Sequence, residues 1–325
     1  MEQTERMERK TKVFIDGSAG TTGIRIYERL GEREGKDLSL IRLPEELRKD
    51  PAARKDAINS ADVAFLCLPD AAAVEAVSLT ENPDTVIIDT STAHRTADGW
   101  VYGFPELRGQ REKLAGAKRI ANPGCHASGF VSLIAPLRQL GLLSSDVKLC
   151  CWSLTGYSGG GKKMIADYEA EENKASLCAP RAYGLSQQHK HLPEMAKVCG
   201  LDSAPIFSPI VSSFYSGMEV TVGLFADQLA PGTDLEKIKA AYREYYTGSI
   251  VFFSDAADEN GFLSSGTFSG RDDMQISVFG NDERITLVSR FDNLGKGASG
   301  AAIQNMNIVL GLDESTGLTI GGIDQ

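Results

Sequence analysis

The chain has no long apolar run, and its first residues contain no apolar segment. None of its hydrophobic stretches approaches the roughly 18 consecutive apolar residues of a membrane-spanning helix, and the opening MEQTERMERKTK is charged throughout. A secretory signal needs an apolar core behind its positive charges. We therefore expect no signal peptide, no membrane anchor and a cytoplasmic location.

Positive charge is also scarce. The chain has 34 lysines and arginines against 44 aspartates and glutamates, a formal net charge of −10. Binding nucleic acid without regard to sequence needs clustered lysine and arginine, so the composition argues against a nucleic-acid partner. A hydrophobic share of 42% and a charged share of 24% are typical of a globular enzyme, and we expect a small-molecule substrate.

The six cysteines form no C-x-x-C pair, and their spacing is unlike that of a small disulfide scaffold. Reduced thiols are the simpler interpretation. Only four histidines occur, and His189 and His191 have a single nearby acid, Glu194. Zinc sites use three or four ligands with suitably spaced cysteine or histidine, so we predict no metal site.

Short apolar runs alternate with helical patterns over the first 125 residues. This alternation indicates βαβ units and a doubly wound parallel sheet, an α/β fold. The strand-like runs are 12–16, 38–43, 62–69, 85–90 and 119–122, and the helical segments between them are 21–33, 51–60 and 71–79.

The pattern changes after residue 126. Segment 274–291 has two alternating runs around a Gly-Asn-Asp turn, which predicts an antiparallel hairpin. Segment 233–246 begins with a Thr-Asp cap and continues as an amphipathic helix. A long packed helix is predicted over 293–312. These patterns predict a second, α+β domain with a mixed or antiparallel sheet.

The predicted domain boundaries follow from this change of pattern. We expect a dinucleotide-binding domain made of 1–125 plus 298–325, because the last helix can return to the first sheet. The second, α+β domain is then 126–297.

A glycine-rich turn, DGSAGTTG, follows the first strand. Glycine lets the backbone approach a pyrophosphate, and the next helix offers free N–H groups and the positive end of its dipole. The G-x-x-G-x-x-G spacing differs from the commoner G-x-G-x-x-G, so a tight turn alone is the other interpretation. The predicted cofactor-binding residues are Gly17, Ser18, Gly20, Thr21, Thr22 and Gly23.

The end of the second strand bears on which dinucleotide is bound. An NAD site usually has an acidic residue there for the ribose hydroxyls. Here Arg42 occupies the strand end, and the first acid, Glu45, lies beyond a proline. Arg42 can face a 2′-phosphate, which favours NADP; a solvated arginine is the alternative.

Cys125 follows Asn-Pro-Gly and opens an apolar helical pattern. In the first turn of a helix, the dipole and the free N–H groups lower the pKa of a thiol. A packing cysteine would more naturally lie within a strand, as Cys67 does. This position favours a nucleophile at Cys125 over a packing residue.

A cysteine nucleophile needs a base. Neighbouring side chains on a helix point apart, so His126 is a poor base for Cys125. In HKHLPE, His189 and His191 share one face of an extended segment, and Glu194 can orient one of the rings. Ordinary structural histidines are the alternative.

The segment DTSTAHR follows the fourth strand, at the edge where open α/β sheets bind ligands. Ser91 and Arg95 suit a phosphate group, because arginine offers a charged fork and serine a neutral donor. A capped loop explains the same residues.

Together, DGSAGTTG, DTSTAHR, WVYGFPEL, NPGC, TGYSGGGK, HKHLPE and NLGKGASGAAIQNMNIVLG resemble the N-acetyl-γ-glutamyl-phosphate reductases. The order of the motifs is that of the family's shorter form, from residue 12 to residue 311. The resemblance implies NADPH-dependent reduction of an acyl phosphate to a semialdehyde in arginine biosynthesis. It also implies a Rossmann domain, a dimerising α+β domain, and a homodimer or homotetramer.

The resemblance further implies roles for single residues. Cys125 becomes the nucleophile that forms a thioester, and His189 or His191 becomes the acid/base. Arg95 matches the phosphate-site arginine, and Asn293 lies in a segment on the cofactor side. One departure is His126, since many members have an aromatic residue after NPGC.

Three other functions fit some of these residues. Aspartate-semialdehyde dehydrogenase shares the fold and the cysteine chemistry. A non-catalytic NADP-binding regulator would keep the glycine turn without needing Cys125. A cysteine hydrolase or acyltransferase would turn over without a nicotinamide.

Overall fold

The computed structural model describes residues 9–17 and 20–321. Two compact units are present. The first comprises the residues up to Gly103, Gln110–Asn122 and Ala301–Gly317; the second comprises Phe104–Gly109, Pro123–Gly300 and the residues from Leu318 onward. Within the described ranges, no helix is both long enough and apolar enough to cross a bilayer.

The first unit contains a six-stranded parallel sheet in the order β2-β1-β3-β4-β6-β5. Its central strands β3 and β4 are buried throughout, which explains why they read as continuous apolar runs. The prediction of five parallel strands is confirmed, and β5 is an addition too short to show a pattern. The strands are β1 Thr11–Asp16, β2 Leu38–Ile41, β3 Val63–Leu66, β4 Val86–Asp89, β5 Val101–Tyr102 and β6 Arg119–Ala121.

Helices supply the crossovers that parallel strands require. Asp50 caps α2 by accepting a hydrogen bond from the backbone N of Ala53 at 2.8 Å, and Pro51 occupies the first helical position. The three helices predicted between the strands are confirmed. The helices of this sheet are α1 Thr21–Gly31, α2 Pro51–Ser60, α3 Asp70–Ser78 and α4 Gln110–Ala115.

The second unit contains a seven-stranded mixed sheet in the order β11-β12-β13-β10-β7-β9-β8. The predicted hairpin is confirmed, because β12 and β13 pair antiparallel from Met274 opposite Phe291 to Gly280 opposite Ile285. The strands are β7 Cys150–Gly156, β8 Arg181–Ala182, β9 Ile206–Ser212, β10 Met218–Phe225, β11 Val251–Phe253, β12 Met274–Gly280 and β13 Arg284–Phe291.

The longest helix of this unit is α5, which is buried at every position from His126 to Leu137. It approaches the sheet at Gly129, where a Cβ would lie 2.3 Å from Cγ2 of Val220 on β10. The predicted Thr-Asp cap is confirmed at Asp234, whose side chain accepts from the backbone N of Lys237 at 2.8 Å. The helices are α5 Cys125–Gln139, α6 Gly161–Glu169, α7 Lys174–Leu177, α8 Leu192–Cys199 and α9 Leu235–Tyr245.

The last helical segment differs from the continuous helix predicted over 293–312. A π-helical turn, Gly295–Ser299, comes first, with Ser299 N donating to Leu294 O at 2.9 Å. Helix α10, Gly300–Val309, follows. The sequence GKGASG has three glycines, which hold the helical backbone weakly, and wide turns of this kind are frequent at functional sites.

Candidate active site

Cys125 is the first residue of α5, and Gly124 is the N-cap residue in an extended conformation. The first turn of this helix contains no acidic side chain, and Cys125 is partly buried. No disulfide joins the six cysteines, all of which lie among the described residues. The helix dipole therefore acts on the Cys125 sulfur, which favours its thiolate form.

Three other cysteines have the opposite environment. Burial raises the pKa of the Cys67 thiol to about 12 and also raises the pKa values of Cys151 and Cys199. These groups stay protonated at neutral pH and act as small apolar side chains.

Glu194 lies against the start of the same helix. It is 1% exposed, and its Oε1 accepts a hydrogen bond from the backbone N of Gly124 at 2.8 Å. The role predicted for Glu194, orienting a histidine ring, stays a prediction; this contact fixes the residue before Cys125. The positive end of the α5 dipole stabilises the negative charge of this carboxylate. The hydrogen bond connects α8 with α5.

His189 and His191 lie beside each other where the chain enters α8. Their ring centroids are 4.8 Å apart, and Nδ1 of His189 accepts from the backbone N of His191 at 3.2 Å. Each ring centroid is also 5.6 Å from that of His126. The imidazoles of His189 and His191 thus cluster around that of His126, the residue that follows Cys125. His191 is 4% exposed, while His189 is only partly buried.

The imidazole of His126 uses both nitrogens in hydrogen bonds. Nδ1 lies 2.6 Å from Oγ of Ser153, and Nε2 lies 2.6 Å from the hydroxyl of Tyr183. Burial, followed by the charges of His189 and Lys190, lowers the pKa of His126 to about 3. His126 is therefore neutral near pH 7 and a weak base, so the structure adds a second reason against it as the base for Cys125.

Tyr183 was not singled out from the sequence. Burial raises the pKa of its hydroxyl, and the charge of Cys125 adds to this effect. Tyr183 therefore lies within electrostatic reach of the sulfur and remains protonated. A single tyrosine just after the two-residue strand β8 gives no sequence signal that could have identified it.

The π-helical turn also approaches Cys125. A Cβ built on Gly297 would lie 3.0 Å from Cβ of Cys125. The preceding residue, Lys296, is 1% exposed, and its Nζ lies 2.7 Å from Oε1 of Glu106 and 4.8 Å from the ring centre of Phe104. The sequence motif contained these residues without indicating their packing.

Asn293 precedes this turn and is buried. Its Oδ1 accepts from the backbone N of Gly217 at 3.0 Å, and its Nδ2 donates to Oγ of Ser158 at 3.0 Å. These bonds connect β13 with the segments around β7 and β10. A role for Asn293 on the cofactor side stays a prediction.

The glycine turn of the first unit has the form that a dinucleotide needs. Gly17 has a φ of +84°, and a Cβ there would lie 2.3 Å from the carbonyl oxygen of Cys67. Gly20 is the N-cap residue of α1 and donates to Gly17 O at 3.0 Å. Oγ1 of Thr21 is buried and has no hydrogen-bond partner in the described part of the chain.

The remaining members of this predicted group are Thr22, Gly23 and Ser18. Thr22 lies in the first turn of α1, and Gly23 is buried in the same helix. Ser18 lies outside the described residues. Because the start of α1 has no side-chain cap among the described residues, its N–H groups fit a phosphate.

Arg42 lies just after β2. Its Nε donates to the hydroxyl of Tyr27, and its two terminal nitrogens pair with the carboxylate of Glu34. The hydrogen bond to Glu34, followed by that to Tyr27, raises the pKa of Arg42. A 2′-phosphate at this position would compete with Glu34 for the guanidinium, and this role of Arg42 stays a prediction.

Ser91 belongs to a buried cluster around Asp89. The carboxylate of Asp89 accepts from the backbone N and the Oγ of Ser91 at 2.9 and 2.7 Å, and it lies 2.6 Å from Nδ1 of His94. His94 in turn stacks on Trp100, with ring centroids 4.0 Å apart. These contacts fix the loop after β4.

Arg95 lies in the same loop. Its Nε donates to the carbonyl oxygen of Asn122 at 3.0 Å, and a terminal nitrogen donates to that of Thr90 at 3.1 Å. The guanidinium thus connects the ends of β4 and β6. The phosphate-binding roles of Ser91 and Arg95 stay predictions. No group of three or more metal-binding side chains occurs within the residues that the structure describes.

Two family models match the chain. Residues 125–293 match the semialdehyde dehydrogenase dimerisation domain, and residues 31–117 match the semialdehyde dehydrogenase NAD binding domain. Among solved structures, aspartate semialdehyde dehydrogenase II from Vibrio cholerae has a TM-score of 0.69 at 16% identity, covering 93% of this chain and 98% of that one. Aspartate semialdehyde dehydrogenase from Francisella tularensis has a TM-score of 0.69 at 15% identity, covering 92% and 99%. At such identities the likeness shows the fold alone.

Curated relatives are more similar. The chain is 46% identical over 322 residues to N-acetyl-gamma-glutamyl-phosphate reductase 2 of Nostoc sp., covering 95% of this chain and 99% of the relative. It is also 46% identical over 307 residues to N-acetyl-gamma-glutamyl-phosphate reductase of Sinorhizobium fredii, covering 93% and 99%. The chain belongs to the N-acetyl-γ-glutamyl-phosphate reductase family of semialdehyde dehydrogenases.

Proposed function

We propose that the chain catalyses the NADPH-dependent reduction of N-acetyl-γ-glutamyl phosphate to N-acetylglutamate γ-semialdehyde, with release of phosphate, in arginine biosynthesis. The observation that carries the proposal is Cys125 at the first position of α5, with His189 and His191 clustered beside the residue that follows it. The choice of substrate rests on the names of the relatives that are 46% identical to this chain.

The first half of the reaction is acyl transfer to sulfur. One imidazole of the His189–His191 pair takes the thiol proton, and the Cys125 thiolate attacks the carbonyl carbon of the acyl phosphate. N–H groups at the start of α5 stabilise the oxyanion that forms. The bond from carbon to the phosphate oxygen breaks, the imidazolium returns its proton to the departing phosphate, and a thioester remains on Cys125.

The second half converts the thioester to the aldehyde. NADPH, when bound, supplies a hydride to the carbonyl carbon. Cys125 then leaves as a thiolate when the C–S bond breaks, and the positive end of the α5 dipole stabilises that leaving group. A proton taken up from solvent then returns the sulfur to the thiol form in which it began.

The glycine turn supports the choice of a dinucleotide. Gly17, Gly20, Thr21 and Thr22 would hold the pyrophosphate, because the turn gives backbone access and the start of α1 gives N–H donors. Arg42 is the residue proposed for the 2′-phosphate, since no acidic side chain ends β2. Ser91 and Arg95 are proposed for the phosphate of the substrate.

We also propose a homodimer or homotetramer in the cytoplasm. Support for the oligomer comes from apolar side chains left exposed on the seven-stranded sheet, such as Trp152 on β7 at 48% and Ile206 on β9 at 60%. The lack of a disulfide among the six cysteines, all within the described residues, supports a reducing compartment. The domain boundaries 1–125 plus 298–325 and 126–297 stay a prediction.

The test runs the reaction backwards. Purified protein receives NADP and phosphate together with N-acetylglutamate semialdehyde, aspartate semialdehyde or glyceraldehyde 3-phosphate, and NADPH formation is followed by absorbance. We expect a signal with the first aldehyde only, requiring phosphate and absent in Cys125→Ser. A signal with aspartate semialdehyde would keep the chemistry and change the substrate. Turnover that needs no nicotinamide would contradict the proposal.

A further inference from the structure

Gln187 has an unusual backbone. Its φ is +58°, and Asn260 is the only other described non-glycine residue with a positive φ. Left-handed backbone is uncommon outside glycine, and asparagine accepts it more readily than glutamine does. The backbone N of Gln187 donates to the carbonyl oxygen of Gly184 at 3.0 Å, which closes a tight turn.

The side chain of Gln187 holds this turn against β9. Its Oε1 accepts from the backbone N of Phe207 at 2.9 Å, and its Nε2 donates to the carbonyl oxygen of Phe207 at 2.9 Å. Strand β8 pairs with β9 only at Ile210 and Val211. The amide of Gln187 therefore takes the place of a neighbouring strand at Phe207, a residue that is 1% exposed.

Phe207 also packs against the histidine cluster. Its ring centroid lies 5.1 Å from that of His189 and 5.3 Å from that of His126. Phe207 therefore contacts this segment in two places. Its backbone binds the amide of Gln187, and its ring packs against His189, which follows Gln187 by two residues. The position of His189 is thus set from both sides, by the turn that precedes it and by the ring against it.

We propose that Gln187 is a positioning residue for the reaction at Cys125: its amide clamp on Phe207 keeps the left-handed turn closed and sets the His189 ring beside His126. The inference rests on the proposed function and goes beyond it. Without the clamp, the backbone of Gln187 relaxes to a negative φ, which rotates the following peptide and displaces His189. Strained residues persist where surrounding contacts hold them, and they cluster at active sites.

Two substitutions at this position test the clamp. Gln187→Glu keeps the length of the side chain but replaces the Nε2 donor by an oxygen that faces the Phe207 carbonyl. Gln187→Met has a similar length, no charge and neither hydrogen bond. The matched control is Gln188→Glu, which makes the same change one residue later, on an exposed side chain.

We expect both Gln187 variants to lower kcat by about 10- to 100-fold, the loss that a displacement of about 1 Å produces. The KM should change less than kcat, because the clamp acts on the reacting groups. Gln188→Glu should match the wild type. A thermal unfolding scan of each variant establishes that the protein measured is folded.

A second readout needs no substrate. The rate at which iodoacetamide alkylates Cys125 is measured as a function of pH in protein that keeps all six cysteines. Mass spectrometry identifies the cysteine that is modified. A displaced His189 stabilises the thiolate less, so the alkylation midpoint should move to higher pH in Gln187→Met. If this shift occurs while the wild type reduces no acyl phosphate, the proposed function is wrong. The inference that Gln187 positions His189 is then still supported. Variants that lose thermal stability but keep the wild-type kcat and alkylation profile would overturn the inference.

Discussion

Gly297 offers the most direct test of how tightly Cys125, the proposed nucleophile, is held. In Gly297→Ala, the added Cβ would lie 3.0 Å from Cβ of Cys125, 3.1 Å from the carbonyl oxygen of Asp292 and 3.2 Å from Cε2 of Phe291. Ordinary contacts of a Cβ lie between 3.4 and 4 Å. Phe291 and Asp292 are fully buried, whereas Cys125 is only partly buried, so we expect Cys125 to be the neighbour that moves.

The structure gives a magnitude for that movement. Restoring an ordinary contact separates the two Cβ atoms by about 0.4 Å more. Added volume in a packed interior lowers the free energy of unfolding by about 1–3 kcal/mol. A displacement near 1 Å lowers turnover by about 100-fold, so we expect this smaller displacement to lower kcat by about 10-fold.

The assay compares kcat, the iodoacetamide rate at Cys125 and urea unfolding for Gly297→Ala and a control, Gly248→Ala. A Cβ at Gly248 meets no described atom within 4 Å. The control should be as active as the wild type and about as stable, or more stable by up to about 1 kcal/mol, since alanine restricts the unfolded chain. Wild-type turnover and thiol reactivity in Gly297→Ala would refute the reasoning that the π-helical turn fixes Cys125.

Three further predictions address other parts of the site. In Gly17→Ala, the clash with the Cys67 carbonyl oxygen at 2.3 Å should abolish NADP binding in calorimetry, while alkylation of Cys125 continues at the wild-type rate; retained binding would separate the turn from the cofactor. In Glu194→Ala, the buried N–H of Gly124 loses its acceptor, so urea unfolding should show a loss of about 1–3 kcal/mol; unchanged stability would show that this hydrogen bond does not stabilise the fold. Because burial lowers the pKa of His126 from 6.5 to about 3, the unfolded chain binds a proton there that the folded chain does not. Its contribution to stability is full above pH 6.5 and decreases towards pH 3, so His126→Phe should flatten the pH dependence of unfolding across that window, and an equally steep curve would be evidence against a neutral His126.

The strands of the first sheet were predictable because burial on both faces selects apolar residues at consecutive positions of the sequence. Runs such as that of β3 are apolar at every position, and helical patterns separate them. The start of α5 was predictable for a different reason, since Pro-Gly before an apolar run marks a helix boundary. Local chemistry alone determines both features.

The contacts that complete the site depend on residues distant in sequence. Glu194 reaches Gly124 across 70 positions, and Gln187 reaches Phe207 across 20. Neither contact has a local pattern, because each forms only when two separate elements pack together. The π-helical turn was missed because GKGASG fits a helical pattern, and the extra residue in the turn becomes visible only in the hydrogen bonds.

The burial of α5 has a consequence for how the protein loses activity. Since every residue from His126 to Leu137 is enclosed, backbone amides along this helix can exchange with solvent only when the second unit opens. The sulfur of Cys125, the proposed nucleophile, is thus attached to a helix that is held by the packed interior of the second unit. Heating should therefore abolish activity and the protection of these amides from exchange in the same temperature interval. The activity that remains after heating is then proportional to the fraction of molecules that are still folded.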